Sequence, residues 1–530
     1  MLSLALLTFT ASFSTMSYAM LTASIISDFT GEEVYSQCLS MGPYLLGLGV
    51  GSALGDRIKE SELLRTLWKL EWVSVIVLPL IPIFQMVCMF LFLNLAPPSM
   101  SFDQRSSTVF LLGLAALVSL VSGLLGGAQL PIIIKMAKRL GPNVILALSY
   151  LGPLLAGPAI IFMGQNAYSV STQVTVVALV QFLGLLVLIG MASRRVPLLL
   201  GLVFPMAIMF INLRYYPTVE HFTIKSSYMK TRLQSLGLSE VRSLLSSIAQ
   251  YGDLTRTKTA YQVIDLYVEP PNLLFQRPGN STVYLNRKPQ FDLQSVDIYH
   301  QSMVHAALNV KGGAGKNILI LGAGDGILLK ELRAVGKDSR ITMVELDEGM
   351  INWSKDHYIV SQLNQNSMNP PAKEVDLIVD DAISYLRRNQ RKDFDLIFID
   401  FPFPNGHELA KLYSFEFYRL VKRALGPAGV LIIDVPILFE ASDVLTRESS
   451  VILKTMEAAG LVNPFAISPY SSFVVFRGDG KKGAFDYSRF SADMNVSTRL
   501  NLVEIADEKF YDEKALANAE VNSMFWPKGL

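Results

Sequence analysis

The sequence predicts a multi-span α-helical membrane domain followed by an α/β Rossmann-like domain with a small N-terminal β-sheet. Three observations lead there. Apolar stretches succeed one another from Leu2 to about Asn212, in a chain of 530 residues with only 17% charged residues and a mean hydropathy of +0.36. Short β-branched runs that end in a polar residue then alternate with helical segments. Two period-two runs, "YQVIDLYVEP" and "STVYLNRKPQFD", stand ahead of them.

Seven spans are expected, at 4–26, 39–55, 72–95, 108–134, 144–164, 173–192 and 196–212. The first lacks a basic n-region and a small-residue cleavage site, so it reads as a retained helix. The last is the shortest and contains Pro205. Gly47, Gly49, Gly51 and Gly55, with Gly123, Gly126 and Gly127, suit close helix packing in lipid. Glu71 is nearly the only ionisable group in these spans, which gives little support to a pump or channel. Basic residues fall after spans two, four and six (Arg57, Lys59, Arg65, Lys69; Lys135, Lys138, Arg139; Arg194, Arg195), which predicts cytoplasmic loops and an internal N-terminus. Seven spans would then put the C-terminal domain outside, unless the stretch around Pro205 lies in the interface. The expected location is a membrane, crossed several times, with the lipid bilayer as a partner and the side of the domain open.

The net charge of +1, with dispersed basic residues, gives no reason to expect a nucleic-acid partner. Cys38 and Cys88 are the only cysteines, which excludes a disulfide framework or a cysteine-rich metal site, and no metal is expected. The organisation expected is a transmembrane domain over 1–213, a juxtamembrane helical segment over 214–256 and a small antiparallel β module over 257–294. A Rossmann-like domain over 295–478 and a tail over 479–530 follow. The tail reads as turns and short amphipathic pieces with no chemistry.

Strands "NILILGA", "RITMVEL", "VDLIVDD", "DLIFIDF" and "GVLIIDV" predict a doubly wound parallel sheet with ligands at the strand carboxyl ends. The loop "GAGDG", with Gly322, Gly324 and Gly326, lets backbone approach a ligand. Glu345 ends the next strand, where a carboxylate can accept both hydroxyls of a ribose. Asp325 inside the loop would repel a pyrophosphate but welcome an amine or sulfonium. Asp380 and Asp381 end the third strand, suited to an adenine amino group, and Asp400 ends the fourth. Acids at four successive strand ends, with no lysine or arginine among them, describe a place for a cationic nucleoside. S-adenosylmethionine or its decarboxylated form fits better than NAD.

Over residues 256–475 the chain resembles the aminopropyltransferases, spermidine synthases and relatives, and in particular their membrane-fused bacterial members. The resemblance is carried by "TAYQVI", "YLNRKPQF", "IYHQSMVHAAL", "LGAGDGILLKEL", "VELDE", "DDAISYL", "FIDFPFPNGHELAKLYSFEFYRLVKRAL" and "GPAGVLIID". It implies a class I S-adenosylmethionine-type fold and a transferase of polyamine biosynthesis, with decarboxylated S-adenosylmethionine as donor and a small-molecule amine as acceptor. A homodimer is also implied. By position Asp400 matches the family's catalytic aspartate. Asp325 would hold the donor's amino group, Glu345 its ribose and Asp381 its adenine. Gln262, Gln290, Tyr299 and His300 match positions lining the two substrates, and Tyr470 lies near a family tyrosine.

The chain also departs from that pattern. Phe403 stands where the family has the aspartate that grips the distal ammonium of the diamine, and Ser295 and Val296 replace an acidic pair. Each lost charge-assisted contact is worth roughly 1.5–3 kcal/mol, so plain putrescine is not the expected acceptor. Gln129 and Ser149 stand in the spans where the resemblance would put acids. Two alternatives remain beside aminopropyl transfer: a methyltransferase using intact S-adenosylmethionine, and a non-catalytic nucleoside- or amine-binding membrane module.

Overall fold

The structure is a computed structural model. It describes the chain except for residues 1, 31–32, 97–103, 138–140, 166–167, 192–197, 230–236, 271–278, 337, 370–374, 405–406, 436–442, 468–472, 490–493, 504–512 and 529–530. The chain divides into two compact units, Met1–Pro289 and Gln290–Leu530.

In the first unit, uninterrupted apolar sequence gives helices α1 (Leu2–Thr30), α2 (Glu33–Asp56), α3 (Leu63–Leu95), α4 (Gln104–Met136), α5 (Pro142–Gln165) and α6 (Val170–Met191). Among the described residues these are the six helices long and apolar enough to cross a membrane, against seven expected. The seventh stretch opens α7 (Leu198–Met229), which runs through residue 213 without a break. The composition changes at Arg214, but a helix needs only its backbone bonds to continue, so a change of surroundings is not an end. The expected helix packing at the glycines is present between α2 and α4. A methyl on Gly51 would stand 2.8 Å from the Ala128 nitrogen, and one on Gly123 3.0 Å from the Leu48 nitrogen, so only glycine permits this approach. Glu71 is 1% exposed beside Gln129, whose amide donates to the Ser74 hydroxyl at 3.2 Å.

After α8 (Leu238–Gln250) comes a four-stranded sheet in the order β1 (Asp253–Lys258), β2 (Val263–Val268), β3 (Ser281–Leu285), β4 (Lys288–Asp292). It is the expected antiparallel module, beginning a few residues earlier. A buried charge cluster ties β1 and β2 to α7. Asp265 accepts the Tyr228 hydroxyl at 2.7 Å and lies 3.5 Å from the Arg256 guanidinium. The Arg287 guanidinium stacks over Phe29 and Tyr228, with centroid distances of 4.5 and 5.0 Å, and donates to the Ser227 hydroxyl at 2.5 Å.

The second unit is an α/β domain around a seven-stranded sheet. Its strands are β5 (Asn317–Gly322), β6 (Arg340–Glu345), β7 (Val375–Val379), β8 (Phe394–Asp400), β9 (Leu425–Asp434), β10 (Phe465–Ile467) and β11 (Phe473–Arg477), in the order β10-β11-β9-β8-β5-β6-β7. The five expected strands are all present and parallel; β10 and β11 add antiparallel pairs at one edge, so the sheet is mixed. Chain order reverses between β5 and β8, the switch point where such sheets bind ligands. Both faces carry apolar cores, one built around Leu319, Ile397 and Phe417, the other around Ile320, Phe398 and Met303.

The tail contributes to this fold more than its composition suggests. Asn522 is fully buried and donates to the carbonyls of Ala410 and Tyr413 at 2.8 and 3.0 Å, while its own nitrogen reaches the Thr455 hydroxyl at 2.9 Å. It therefore pins the segment that follows β8. Asn522→Ala leaves two buried carbonyls unpaired and is expected to destabilise this unit by roughly 2–4 kcal/mol, read as a lower denaturation midpoint with an unchanged slope.

Candidate active site

The loop after β5 sets the geometry. Gly322 and Ala323 both take positive φ, +90° and +61°, and Gly326 follows at +78°. Only glycine adopts such angles freely. Gly322 pairs in register with Asp400, and the Ala323 nitrogen donates to the Asp400 carbonyl at 3.2 Å, so the loop rests on the end of β8. Gly326 leads into the helix Ile327–Val335. The Asp325 side chain accepts the Ile327 nitrogen at 2.7 Å, and Asn364 donates to the Asp325 carbonyl at 2.8 Å. Here α9 denotes Val296–Lys311, the helix that brings Tyr299 and His300 to the same place.

Glu345 faces Gly324 at close range. A methyl on Gly324 would meet the Glu345 carboxylate at 2.9 Å, so the glycine leaves room that any side chain would fill. Burial, against the backbone hydrogen bond from Asp347, raises the Glu345 carboxyl to about 7. Asp325 is also raised, first by burial and then by the Asp400 charge, while His300 opposes the shift. Buried carboxylates in this condition favour a bound cation or hydrogen-bond donor.

His300 is 3% exposed, with Nδ1 2.9 Å from the Val296 carbonyl and Nε2 3.6 Å from an Asp400 oxygen. Burial alone would lower it. The Asp400 hydrogen bond and the charges of Asp325 and Asp400 prevail, and His300 rises to about 9. The carbonyl contact at Nδ1 assigns a proton there, which leaves Nε2 to face Asp400. Tyr299 lies edge-on to His300 and against Phe473, with ring centroids 5.0 Å apart in each case. Its hydroxyl lies 3.4 Å from an Asp400 oxygen and 3.3 Å from Asp434.

The structure thus brings together Gly322, Gly324, Asp325, Gly326, Glu345, Tyr299, His300 and Asp400. Other expected residues have surroundings of their own. Asp380 pairs with Arg388, and Asp381 caps the helix Ala382–Arg388 through the Ser384 nitrogen at 2.8 Å, with Lys411 3.8 Å away. The third strand end is therefore not free of basic partners. Gln290 is exposed on β4, and Gln262 lies in the β1–β2 turn of the first unit, where its carbonyl accepts the Thr259 nitrogen at 2.9 Å. Phe403 is partly buried against the core around Phe417. The Ser295 hydroxyl is held by Asp292 at 2.5 Å. Tyr470 lies outside the described residues.

Asp434, at the end of β9, was not anticipated as a site residue. The signal was in the sequence: "GVLIIDV" ends in an acid by the same rule that singled out Glu345 and Asp400.

A Rossmann-like α/β domain with carboxylates along its strand ends is the class these features define. Within it, residues 296–469 match the family model for the spermine/spermidine synthase domain, which supports a spermidine synthase-like family for this part of the chain. The chain is similar to polyamine aminopropyltransferase 1 of Streptomyces coelicolor, 29% identical over 65% of this chain and 61% of that protein. It is also similar to the polyamine aminopropyltransferase of Oceanobacillus iheyensis, 24% identical over 81% of this chain and 76% of the relative. A solved spermidine synthase in complex with the transition state analogue AdoDATO covers 50% of this chain and 88% of its own, at 18% identity and a TM-score of 0.40. The chain thus spans less than two thirds of the Streptomyces protein.

Proposed function

We propose that the protein is a membrane-anchored aminopropyltransferase that moves an aminopropyl group from decarboxylated S-adenosylmethionine to an amine other than plain putrescine. The observation that carries this reading is the meeting of Asp325, His300 and Asp400 at the switch point, with Glu345 held against Gly324 one strand away. The acids suit a cationic nucleoside: Glu345 for the ribose hydroxyls and Asp325 for the donor's ammonium. The donor supplies a carbon activated by the adjacent sulfonium. Asp400 would accept the proton that the acceptor amine must lose before it attacks. His300 holds that carboxylate in place and balances its charge, and Tyr299 steadies its other oxygen. The amine side lacks an acid at Phe403, which packs on the core, and at Val296, which is 1% exposed. The six long apolar helices support a multi-pass membrane location.

The full chain, incubated with labelled decarboxylated donor and a panel of amines, should release methylthioadenosine with at least one of them. Binding of donor without release for any amine would end the proposal. Glu345→Gln tests the nucleoside end separately. Loss of about 1.5–3 kcal/mol of charge-assisted hydrogen bonding should weaken methylthioadenosine binding by roughly ten- to hundredfold, measured by calorimetry.

A further inference from the structure

Asp434 is the carboxylate that the scheme above leaves without a task. It ends β9, next to β8 in the sheet, so its backbone neighbours that of Asp400. Its one hydrogen bond among the described residues comes from the Tyr299 hydroxyl, at 3.3 Å, and the same hydroxyl lies 3.4 Å from Asp400. A phenol has one proton and serves one acid at a time. Asp325 and Glu345 are held by backbone nitrogens, of Ile327 and Asp347, and other acids of this unit have partners of their own. Asp297 has Lys330 at 2.7 Å, Asp400 has His300, Asp380 has Arg388 and Asp292 has Ser295. No ion pair reaches Asp434 among the described residues.

Two carboxylates on adjacent strands, bridged by one phenol and with one imidazole against Asp400 alone, repel each other and attract a further positive charge. A protonated amine answers both needs, since an ammonium has three donors and can reach both acids. The surroundings limit what else the acceptor can carry. Tyr299 packs on Phe473, Tyr413 is buried with its hydroxyl on the Pro402 carbonyl, and Phe401 packs against Phe417. These groups suit an apolar body.

Resting on the aminopropyl-transfer reading, we propose that Asp434 and Asp400 together form the seat for a single ammonium group, and that the acceptor is a primary amine with an apolar remainder. In the transfer, the ammonium gives one proton to Asp400 and its nitrogen lone pair forms the bond to the aminopropyl carbon. The carbon–sulfur bond breaks with its electrons on sulfur. The product is a secondary ammonium that Asp434 still faces. Asp434 selects and holds; it does not take the proton.

Burial first, and then the Asp400 charge, raise the Asp434 carboxyl to about 8, against the Tyr299 hydrogen bond. The groups facing it are Asp400 from β8, Tyr299 from α9 and Tyr413, with His300 behind Asp400. Ammonium affinity should therefore improve as pH rises through about 8 in the wild type, where Asp434 ionises.

The test uses the full chain loaded with methylthioadenosine, titrated with butylamine, hexylamine and putrescine, and in parallel assayed for turnover. Above pH 8, where Asp434 is ionised, alkylamine Kd and KM should rise at least tenfold in Asp434→Asn, and the variant should lose the dependence on pH near 8, with methylthioadenosine affinity little changed; Asp434→Glu should recover most of the binding. The monoamines should bind the wild type at least as tightly as putrescine. Unchanged amine affinity in Asp434→Asn, or a tenfold preference for putrescine, would overturn the inference while leaving aminopropyl transfer standing. If the wild type binds amines but never turns over, transfer fails and the Asp434 seat is still judged by the binding arm.

Discussion

Asp400→Asn is expected to lower kcat by roughly 10²–10⁴-fold, the range spanned by loss of a positioned general base, while methylthioadenosine binds nearly as before. The substitution keeps the volume and removes the charge and the proton-accepting oxygen. Asp400 lies where β5 and β8 meet, opposite Gly322, with one oxygen 3.6 Å from His300 and the other 3.4 Å from Tyr299. A second readout separates chemistry from scaffolding. His300 is raised to about 9 by Asp400 and Asp325 against the effect of burial, so removing the nearer carboxylate should let burial prevail and move the imidazole downward. Titration of the His300 ring by NMR in both proteins checks this sign. Wild-type turnover in Asp400→Asn would assign the proton to another group, and unaltered cellular function with no turnover in either protein would favour the non-catalytic binding module.

The second large effect is expected within the first unit. Asp265 is fully buried and is the partner of both Tyr228 and Arg256, while Arg287 stacks nearby on Phe29 and Tyr228. The terminal nitrogens of Arg256 have no hydrogen-bond acceptor among the described residues, so the pair depends on charge more than on ideal geometry. Asp265→Asn removes the nearest counter-charge of a buried guanidinium, leaving Glu220 and Asp28 to act on it, and should cost about 3–5 kcal/mol, a fall in Tm of roughly 5–15 °C for a unit of this size. Replacing both partners, Asp265→Leu with Arg256→Met, should recover much of the loss, since two desolvated charges are removed together. A single Asp265→Asn variant that melts like the wild type would show that the cluster contributes no net ionic stabilisation. Differential scanning fluorimetry of the detergent-solubilised chain distinguishes these outcomes.

What the sequence disclosed and what it concealed follow from how far each signal reaches along the chain. The strands β5 to β9 were legible because β-branched runs and their terminal acids are local, and the glycine loop announced its own positive φ angles. Asp434 obeyed the same strand-end rule, but its importance comes from Tyr299, which lies 135 positions earlier. The partners of Asp380 and Asp381 were hidden for a similar reason. Arg388 and the start of the helix Ala382–Arg388 occupy them, and a helix cap is visible only once the helix start is known. At Arg214 the composition changed while α7 did not, so a boundary read from polarity fell inside one helix. The tail showed no chemistry; the work of Asn522 is to satisfy carbonyls more than a hundred residues away, which no local pattern encodes.

The glycine contact between α2 and α4 constrains how the protein can be made. It joins two helices that are not neighbours in the chain, with α3 between them. A polypeptide delivered to a bilayer in order from its N-terminus has to park α2 with its backbone bare on the Gly47–Gly51–Gly55 ridge until α4 arrives. In the proposed membrane location, biogenesis would then pass through a stage in which that ridge is open to lipid or to an insertion factor, and a nascent chain arrested after α3 should present it.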